Sequence, residues 1–292
     1  MAVATLSLIA GGVLTPQATA ASGSTLTTGL PQMFQQSPVL KGRWQFEETT
    51  AGTPASTPDA AGQSPSMNLH GGAQLGPGWI DASGLRLNGV DSYAEVPAVP
   101  VDTSSSFTVT AWAQASELSD QPMTVINAAG NKRSAFALRF LSTPEDSEGF
   151  GRWELTLPDA DRTGAATRQV SSREFFDVRD WNHLAVVYDS VAEQARFYVN
   201  GILQEFRCPD EDGDGKPDDS TCRDEVAWAD DVRMFRADGP LQVGRAMSDT
   251  AGEYFAGTID DVWVFQGALN SSQVSYLSNT WFDIPTEVPA GS

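Results

Sequence analysis

The chain has 292 residues, and its 38 acidic and 18 basic side chains give a formal net charge of −20. This charge repels polyanions at long range, which excludes nucleic acid as a partner, disfavours anionic membrane surfaces and favours hard cations such as Ca²⁺. A chain of this length can bury one large core or two small ones, so length alone leaves the domain count open.

The N-terminal residues have features of an export signal. An apolar run from Leu6 through Leu14 precedes the small residues Ala18 to Ala20, which predicts a signal peptide over residues 1–20. No basic residue precedes Lys41, so a truncated start and a buried N-terminal helix stay open as alternatives. No later stretch reaches the roughly 18 apolar residues of a membrane span. We therefore expect a secreted or cell-wall-associated protein without membrane insertion.

Composition along the rest of the chain predicts one folded region. Residues 21–39 are rich in Ser, Thr, Gly and Gln, which is typical of a flexible lead. From residue 40 to about 282, short runs of β-branched and aromatic residues recur between turn signals, which predicts an all-β class. Residues 283–292 form a polar tail.

The individual apolar runs have the periodicity of β-strands. Phe107, Val109 and Ala111 share one face of a predicted strand, while Thr108, Thr110 and Trp112 share the other. Short antiparallel strands must bury one face of each sheet, which requires either two packed sheets or a barrel. Periodicity does not choose between these two architectures.

Two further local patterns predict a tight turn and a chain end. Asn200-Gly201 lies between two short apolar runs, which predicts an antiparallel hairpin with a type I′ turn. Near the end, Gly257–Phe265 predicts a strand, and Asn270 is placed to cap a short helix through Leu277.

The two cysteines, Cys208 and Cys222, enclose one acidic segment. In an exported protein they predict a disulfide, although two unrelated buried thiols are the alternative.

The enclosed segment predicts a calcium loop. Counted from Asp210, carboxylates occupy the first, third, fifth and ninth positions of a calcium-binding loop. Gly215 is at the sixth position, where glycine allows a sharp turn, and the seventh residue would contribute its backbone carbonyl. The predicted ligands are Asp210, Asp212, Asp214, Lys216 and Asp218. The alternative is a solvated acidic loop, but crowded carboxylates repel one another without a divalent ion, so Ca²⁺ is the cofactor we expect.

Six segments, in order and spacing, resemble laminin G-like domains of the concanavalin A-like superfamily. They are GRWQFE at 42–47, LHGGA at 69–73, LNGVDSYAEV at 87–96, SFTVTAW at 106–112, WNHLAVVYD at 181–189 and GTIDDV at 257–262. The resemblance implies a two-sheet antiparallel jelly-roll β-sandwich that acts as a carbohydrate-binding or adhesive module. The acidic segment is similar to one thrombospondin type-3 repeat, in its Cys-Pro-Asp-x-Asp-Gly-Asp-Gly pattern.

The family resemblance also implies site residues. A structural Ca²⁺ near the sandwich rim would use Asp59, Asp260 and Asp91, although Asp91 and Asp260 could instead accept hydrogen bonds from turn amides. Flat faces that could stack on sugars are offered by Trp79, Trp112, Trp153, Trp228 and Trp263. Trp112, Trp181 and Trp263 lie in the family's strand motifs, which predicts core packing. Trp153 and Trp228 lie outside those motifs and are the predicted ligand contacts.

The residues favour binding over catalysis. No strand carries two acids spaced for a retaining glycosidase, and Asp260-Asp261 are adjacent, so they point to opposite faces of a regular strand. His183 lies within a strand motif and is expected to be structural. We expect a monomeric, non-catalytic module that recognises a glycan or an extracellular protein. A structural or adhesive protein with metal-rigidified loops is the alternative, and a glycoside hydrolase or lyase is less favoured.

Overall fold

The computed structural model describes residues 37–48, 55–142, 149–172, 176–177, 179–206, 225–226, 228–246 and 252–279. All of these residues lie within the compact unit Gln35–Ser292. The predicted signal peptide, most of the lead, the acidic loop with its two cysteines, and the tail lie outside the described residues. In the described ranges, no helix is long and apolar enough to cross a membrane.

Most of the described residues lie in antiparallel strands, which confirms the predicted all-β class. The elements in chain order are β1 Val39–Trp44, β2 Ser56–Thr57, β3 Met67–His70, β4 Gln74–Pro77, β5 Ser83–Asn88, β6 Tyr93–Val96, β7 Phe107–Ala115, β8 Met123–Ala129, β9 Ser134–Leu141, β10 Phe150–Pro158, β11 Thr167–Ser171, β12 Phe176–Asp177, β13 Asn182–Asp189, β14 Gln194–Val199, β15 Ile202–Leu203, β16 Glu205–Phe206, β17 Glu225–Val226, β18 Trp228–Ala229, β19 Leu241–Val243, β20 Ala256–Gln266 and α1 Ser271–Ser278.

Two large sheets form the sandwich, and both have nine described strands. Sheet A has the order β15-β14-β13-β7-β20-β5-β4, with β1 paired to β20 and β18 paired to β14. Sheet B has the order β11-β10-β9-β8-β19-β6-β3-β2, with β12 paired to β10. The non-consecutive neighbours and the two-sheet layering confirm the jelly-roll sandwich rather than a barrel.

The predicted alternation in β7 places its apolar face in the core between the sheets. Phe107, Val109 and Ala111 are buried in the main hydrophobic cluster, which draws on both sheets. The opposite face of sheet A is also covered, because α1 packs Val274 and Leu277 against it in a second cluster. Sheet A is therefore buried on both faces where α1 crosses it, which explains why its central strands have few exposed residues.

The hairpin and the helix form as the sequence predicts. Asn200 and Gly201 both have positive φ, 53° and 76°, and join β14 to β15 in the register Val199 to Ile202, as a type I′ turn requires. The Asn270 side chain accepts from the Gln273 backbone N–H at 2.9 Å and completes a capping box at the start of α1.

A bulge interrupts β20 at its two acidic residues. The register with β7 shifts between Asp260 and Trp263, and Asp261 has a φ of 43°. Asp261 accepts from Arg43 Nε at 2.7 Å and Arg43 Nη2 at 3.1 Å, and also from Trp263 Nε1 at 2.8 Å. Burial raises the pKa of Asp261, and these donors act in the opposite direction. The bulge thus directs Asp261 to the β1 strand and leaves Asp260 for a different partner.

His183 is a buried structural residue, as the sequence predicts. It is 1% exposed and packs edge-on to Trp112 with ring centroids 5.2 Å apart. Burial lowers the pKa of its imidazole to about 3, because the charged form would be desolvated. The folded chain therefore holds this histidine neutral where an unfolded chain would protonate it.

This burial predicts an acid-sensitive contribution to stability. His183 binds a proton below about pH 6.5 in the unfolded state, but only below about pH 3 in the folded state. The free energy of unfolding therefore falls as the pH decreases between these two values. At about pH 5 the loss is about 2 kcal/mol relative to neutral pH, since each pH unit is worth about 1.4 kcal/mol. We expect a His183→Gln variant to lack this loss. Urea unfolding at the two pH values measures it, and equal losses in both proteins would contradict the prediction.

Candidate functional site

An open groove of about 760 Å³ lies at one end of sheet A, where β13 begins and β7 ends. Its lining includes three indole rings and polar side chains from the strands and from the end of α1. We call this cavity the aromatic groove. The residues used below are Trp79, Trp112, Trp181, Gln114, Asn182 and Asn200.

Trp79 is the exposed aromatic ring of this groove. Its ring centroid lies 5.9 Å from that of Trp112 and 6.3 Å from that of Trp181, with the latter pair stacked at 27°. Trp112 is buried and Trp181 is half-buried, whereas Trp79 exposes 42% of its surface. The two inner rings therefore support a third that faces solvent, which creates a flat apolar surface beside polar groups.

A buried carboxylate positions the loop that carries Trp79. Asp260 Oδ2 accepts from the backbone N–H of Trp79 at 2.7 Å and of Ile80 at 2.8 Å. Asp260 is 0% exposed, and its other oxygen accepts from the Asp261 N–H at 2.8 Å. A Cβ on Gly78 would lie 2.6 Å from Asp260 Oδ2, so only glycine lets the loop approach this closely.

The environment of Asp260 favours its neutral form. Burial is the main cause and raises the pKa of Asp260 to about 8, and the nearby charge of Asp261 acts in the same direction. The hydrogen bonds from the N–H groups of Ile80 and Trp79 lower the pKa of Asp260 and so offset part of this rise. Because the folded pKa lies above its unfolded value, this group stabilises the fold at acidic pH, and its contribution declines as the pH rises toward about 8.

We expect Asp260→Ala to displace the Trp79 loop and destabilise the fold by a few kcal/mol. The reason is that two backbone N–H groups lose their acceptor, at about 1–3 kcal/mol each when they stay buried. Asp260→Asn is the matched control, because its amide oxygen can still accept from Trp79 and Ile80, and only the bond from the Asp261 N–H to the other oxygen is lost. Urea unfolding and indole fluorescence measure the two effects. Equal losses in both variants would show that the carboxylate does not act as the loop's acceptor.

Amide side chains order the polar wall of the groove. Asn200 Oδ1 accepts from the His183 N–H at 2.9 Å, and Asn200 Nδ2 donates to Asn182 Oδ1 at 3.0 Å. Asn182 Nδ2 donates in turn to the Asp180 carbonyl at 3.1 Å. The hairpin turn at Asn200 thus fixes the rotamers of both amides before any ligand arrives.

A charged pair lies at the mouth of the groove. Arg179 Nη2 is 2.5 Å from Asp177 Oδ2, and its donated hydrogen bonds hold the pKa of Asp177 at about 2. Gln114 Nε2 donates to the Arg179 carbonyl, which ties this segment to β7. The pair is exposed, so it orients the segment rather than stabilising the fold strongly.

The structure does not group the three residues predicted for a rim calcium site, Asp59, Asp91 and Asp260. No three His, Cys, Asp or Glu side chains among the described residues are placed to hold a metal ion. Asp91 is exposed and accepts from Asn88 Nδ2 at 2.8 Å, and Asp260 anchors the Trp79 loop. The alternative for these two residues, acceptance of hydrogen bonds from turn amides, describes Asp260, whereas the donor to Asp91 is a side-chain amide.

Asp59 also serves as an acceptor for backbone amides. Its Oδ1 accepts from the N–H groups of Arg43 and Ala61 at 2.7 and 2.9 Å. Its Oδ2 accepts from those of Gln63 and Ser64, both at 2.7 Å. Four donors use the lone pairs that a cation would need, so the residues around Asp59 do not fit a metal ion.

The predicted calcium loop lies outside the described residues. This applies to Asp210, Asp212, Asp214, Lys216 and Asp218, and to Cys208 and Cys222. The strands on either side of the loop are described, and they pair antiparallel with Phe206 opposite Glu225. The two ends of the loop are therefore held side by side.

The two tryptophans predicted to contact ligand have different outcomes. Trp153 is 1% exposed and packs edge-on to Phe140 at 4.8 Å, so the expectation of ligand contact is wrong for this residue. Its position on β10 points it into the core. The side chain of Trp228 lies outside the described residues, and its contact with ligand stays a prediction.

Sequence reasoning did not select Trp79 or Trp181 for the site. Core packing is confirmed for Trp263, which is 2% exposed and lies in the second hydrophobic cluster. Trp112 is also buried, at 6% exposed, but it lines the groove together with the half-buried Trp181. A usable signal was the Gly-Pro-Gly sequence immediately before Trp79. A large aromatic residue in such a turn has no strand face to pack against and is a candidate for exposure.

Residues 88–220 match the Laminin_G_3 family, described as the concanavalin A-like lectin/glucanases superfamily. With the two-sheet architecture, this match supports a laminin G-like jelly roll. No curated protein matches the chain.

Solved structures share the fold at low identity. A Trypanosoma rangeli sialidase in complex with sialic acid has a TM-score of 0.54 and 16% identity, over 85% of this chain and 34% of that one. The binding domain of Paraclostridial Mosquitocidal Protein 1 has a TM-score of 0.53 and 15% identity, over 83% of this chain and 52% of that one. A botulinum neurotoxin type C structure, concerned with interaction with two ganglioside molecules, has a TM-score of 0.50 and 14% identity, over 84% of this chain and 51% of that one. The chain thus spans about a third to about half of these proteins.

Proposed function

We propose that this protein is a secreted, non-catalytic module that binds carbohydrate in the aromatic groove. The observation that carries the proposal is the exposed ring of Trp79, supported from behind by Trp112 and Trp181 and bordered by ordered amides. Secretion is supported by the apolar N-terminal run in the sequence.

The chemistry of the groove suits a sugar. A sugar ring has an apolar face of C–H groups that stacks on an aromatic ring, and hydroxyl groups at its edge that need hydrogen-bond partners. The groove offers an indole face at Trp79 and amides at Asn200 and Gln114, while the buried Asn182 holds Asn200 in place. The net charge of −20 favours a neutral glycan over a polyanionic one.

Two of the proteins with the same fold are described with sialic acid or gangliosides. Both descriptions concern glycans, which supports carbohydrate as the ligand class for this chain. Asp180 is the carboxylate among the described lining residues of the groove, whereas glycoside hydrolysis generally uses a pair of carboxyl groups. This supports binding rather than hydrolysis, and an assay for reducing sugar released from polysaccharides tests that part.

We expect Trp79→Ala to weaken glycan binding at least about tenfold, because loss of an aromatic anchor typically costs more than about 1.4 kcal/mol. The matched control is Tyr276→Ala, since Tyr276 is also 42% exposed but lies on α1 outside the groove lining. A glycan array followed by calorimetry on a bound glycan gives the measurement. Equal affinity in the Trp79 variant and the wild type would overturn the groove as the binding site.

We also propose that Ca²⁺ binds the loop formed by Asp210, Asp212, Asp214, Lys216 and Asp218. The support is the spacing of the carboxylates and the paired strands that hold the loop ends together. A disulfide between Cys208 and Cys222 would close the same segment.

Calcium should raise the thermal transition of the protein, because its binding is coupled to ordering of the loop. Asp212→Asn and Asp214→Asn should weaken calcium binding about tenfold or more in calorimetry, with the exposed Asp238→Asn as control. An unchanged transition in EDTA would count against the loop site.

A glycan array with and without chelator separates a calcium-dependent binder from a protein whose metal only rigidifies loops.

A further inference from the structure

A second cavity of about 530 Å³ lies beside the aromatic groove on the outer face of sheet A. Gln114 lines both cavities, so the two meet at the end of β7. The second cavity extends over β20 and β5 to β4, the last strand at that side of the sheet.

Four of the polar side chains that line the second cavity form a row across the sheet. Gln114 is opposite Thr258, Thr258 is opposite Arg86, and Arg86 is opposite Gln74 in the strand register. We call these four residues the polar row. Adjacent strands lie about 4.8 Å apart, so the row extends about 14 Å across the sheet.

The side chains of the polar row face away from the core. Their neighbours along the strands, including Ala113, Ile259 and Leu85, are buried in the main hydrophobic cluster. Residues two apart share a strand face, so Gln114 also lies on the same face as Trp112. The polar row therefore continues the surface of the aromatic groove rather than forming a separate site.

The composition of the row suits a neutral polyhydroxy chain. Its amides and hydroxyl group both donate and accept hydrogen bonds, and the exposed Arg86 has no ion-pair partner among the described residues. Arg86 can therefore direct its five N–H donors at ligand oxygens. An acidic chain would meet the strongly negative field of the whole protein, which disfavours it.

We propose that the site binds a stretch of a linear, neutral oligosaccharide, with one sugar on Trp79 and the following sugars along the polar row toward the β4 edge. A site for a single terminal sugar would close at its far end. Here the row ends at an edge strand, where a longer chain can leave the surface. This inference rests on the proposed carbohydrate binding and specifies the ligand's shape and charge.

The test is calorimetry with neutral glucose, xylose and arabinose oligosaccharides, from disaccharides to hexasaccharides, and with uronate oligosaccharides of the same lengths. For the series that binds, we expect wild-type affinity to rise at least about tenfold with chain length. Arg86→Ala should remove most of this gain with chain length. Gln74→Ala, at the far end of the row, should affect only the longest chains. Arg236→Ala is the control, since that arginine is also exposed but lies outside both cavities.

The outcomes separate this inference from the proposed function. Binding that is lost in Trp79→Ala but does not vary with chain length would overturn the extended site and keep the aromatic groove. Tighter binding of uronate chains than of neutral ones would overturn the choice of a neutral ligand. If no member of any series binds to the wild type, the carbohydrate proposal fails and the extended site fails with it.

Discussion

The hydrogen bonds that Asp260 accepts join the core of the sandwich to its candidate binding surface. The carboxylate lies at a bulge in the long central strand β20, where sheet A is covered on both faces, and it receives the backbone N–H groups of Trp79 and Ile80. A loop tip has few apolar contacts of its own and would otherwise sample several conformations. Because the acceptor is buried, each bond is made in a medium where its loss is costly.

The bulge has a second consequence for the same strand. Because the bulge adds one residue to β20, the side chains of two adjacent aspartates point to different segments of the protein. Asp261 forms a bidentate pair with Arg43, whose guanidinium lies 4.0 Å from the centre of the Trp263 ring. Asp260 turns to the Trp79 loop. The acidic pair in this strand therefore explains both the attachment of β1 and the position of the exposed tryptophan.

The groove and the polar row together form a surface whose parts differ in chemistry. The aromatic end provides one rigid apolar platform, and the row provides donors and acceptors at the regular spacing of the strands. Antiparallel sheets produce such rows whenever outward residues are polar, because register aligns them across the sheet. Under the proposed binding of a linear glycan, this regular spacing would match the repeat of the polymer.

Local patterns were enough to predict the elements that depend on local chemistry. The type I′ turn at Asn200-Gly201, the Asn270 cap and the alternation in β7 all follow from the conformational preferences of a few neighbouring residues. The jelly-roll architecture required the ordered set of segment motifs, since periodicity alone allowed a barrel. The calcium loop is a prediction from spacing that the described residues do not reach.

Long-range packing decided the site. Trp153 and Trp79 are similar at the level of sequence, but β10 turns the first into the core and the Asp260 carboxylate holds the second in solvent. Asp59 and Asp260 are both possible metal ligands by residue type, yet backbone amides already donate to their oxygens. The donors to Asp59 are close to it in the chain, whereas Trp79 and Ile80 are about 180 positions from Asp260. The amino-acid sequence determines which side chains are available and which short segments turn or extend. Only the tertiary structure determines which donors meet each acceptor and which rings stay exposed, because those contacts join residues more than a hundred positions apart.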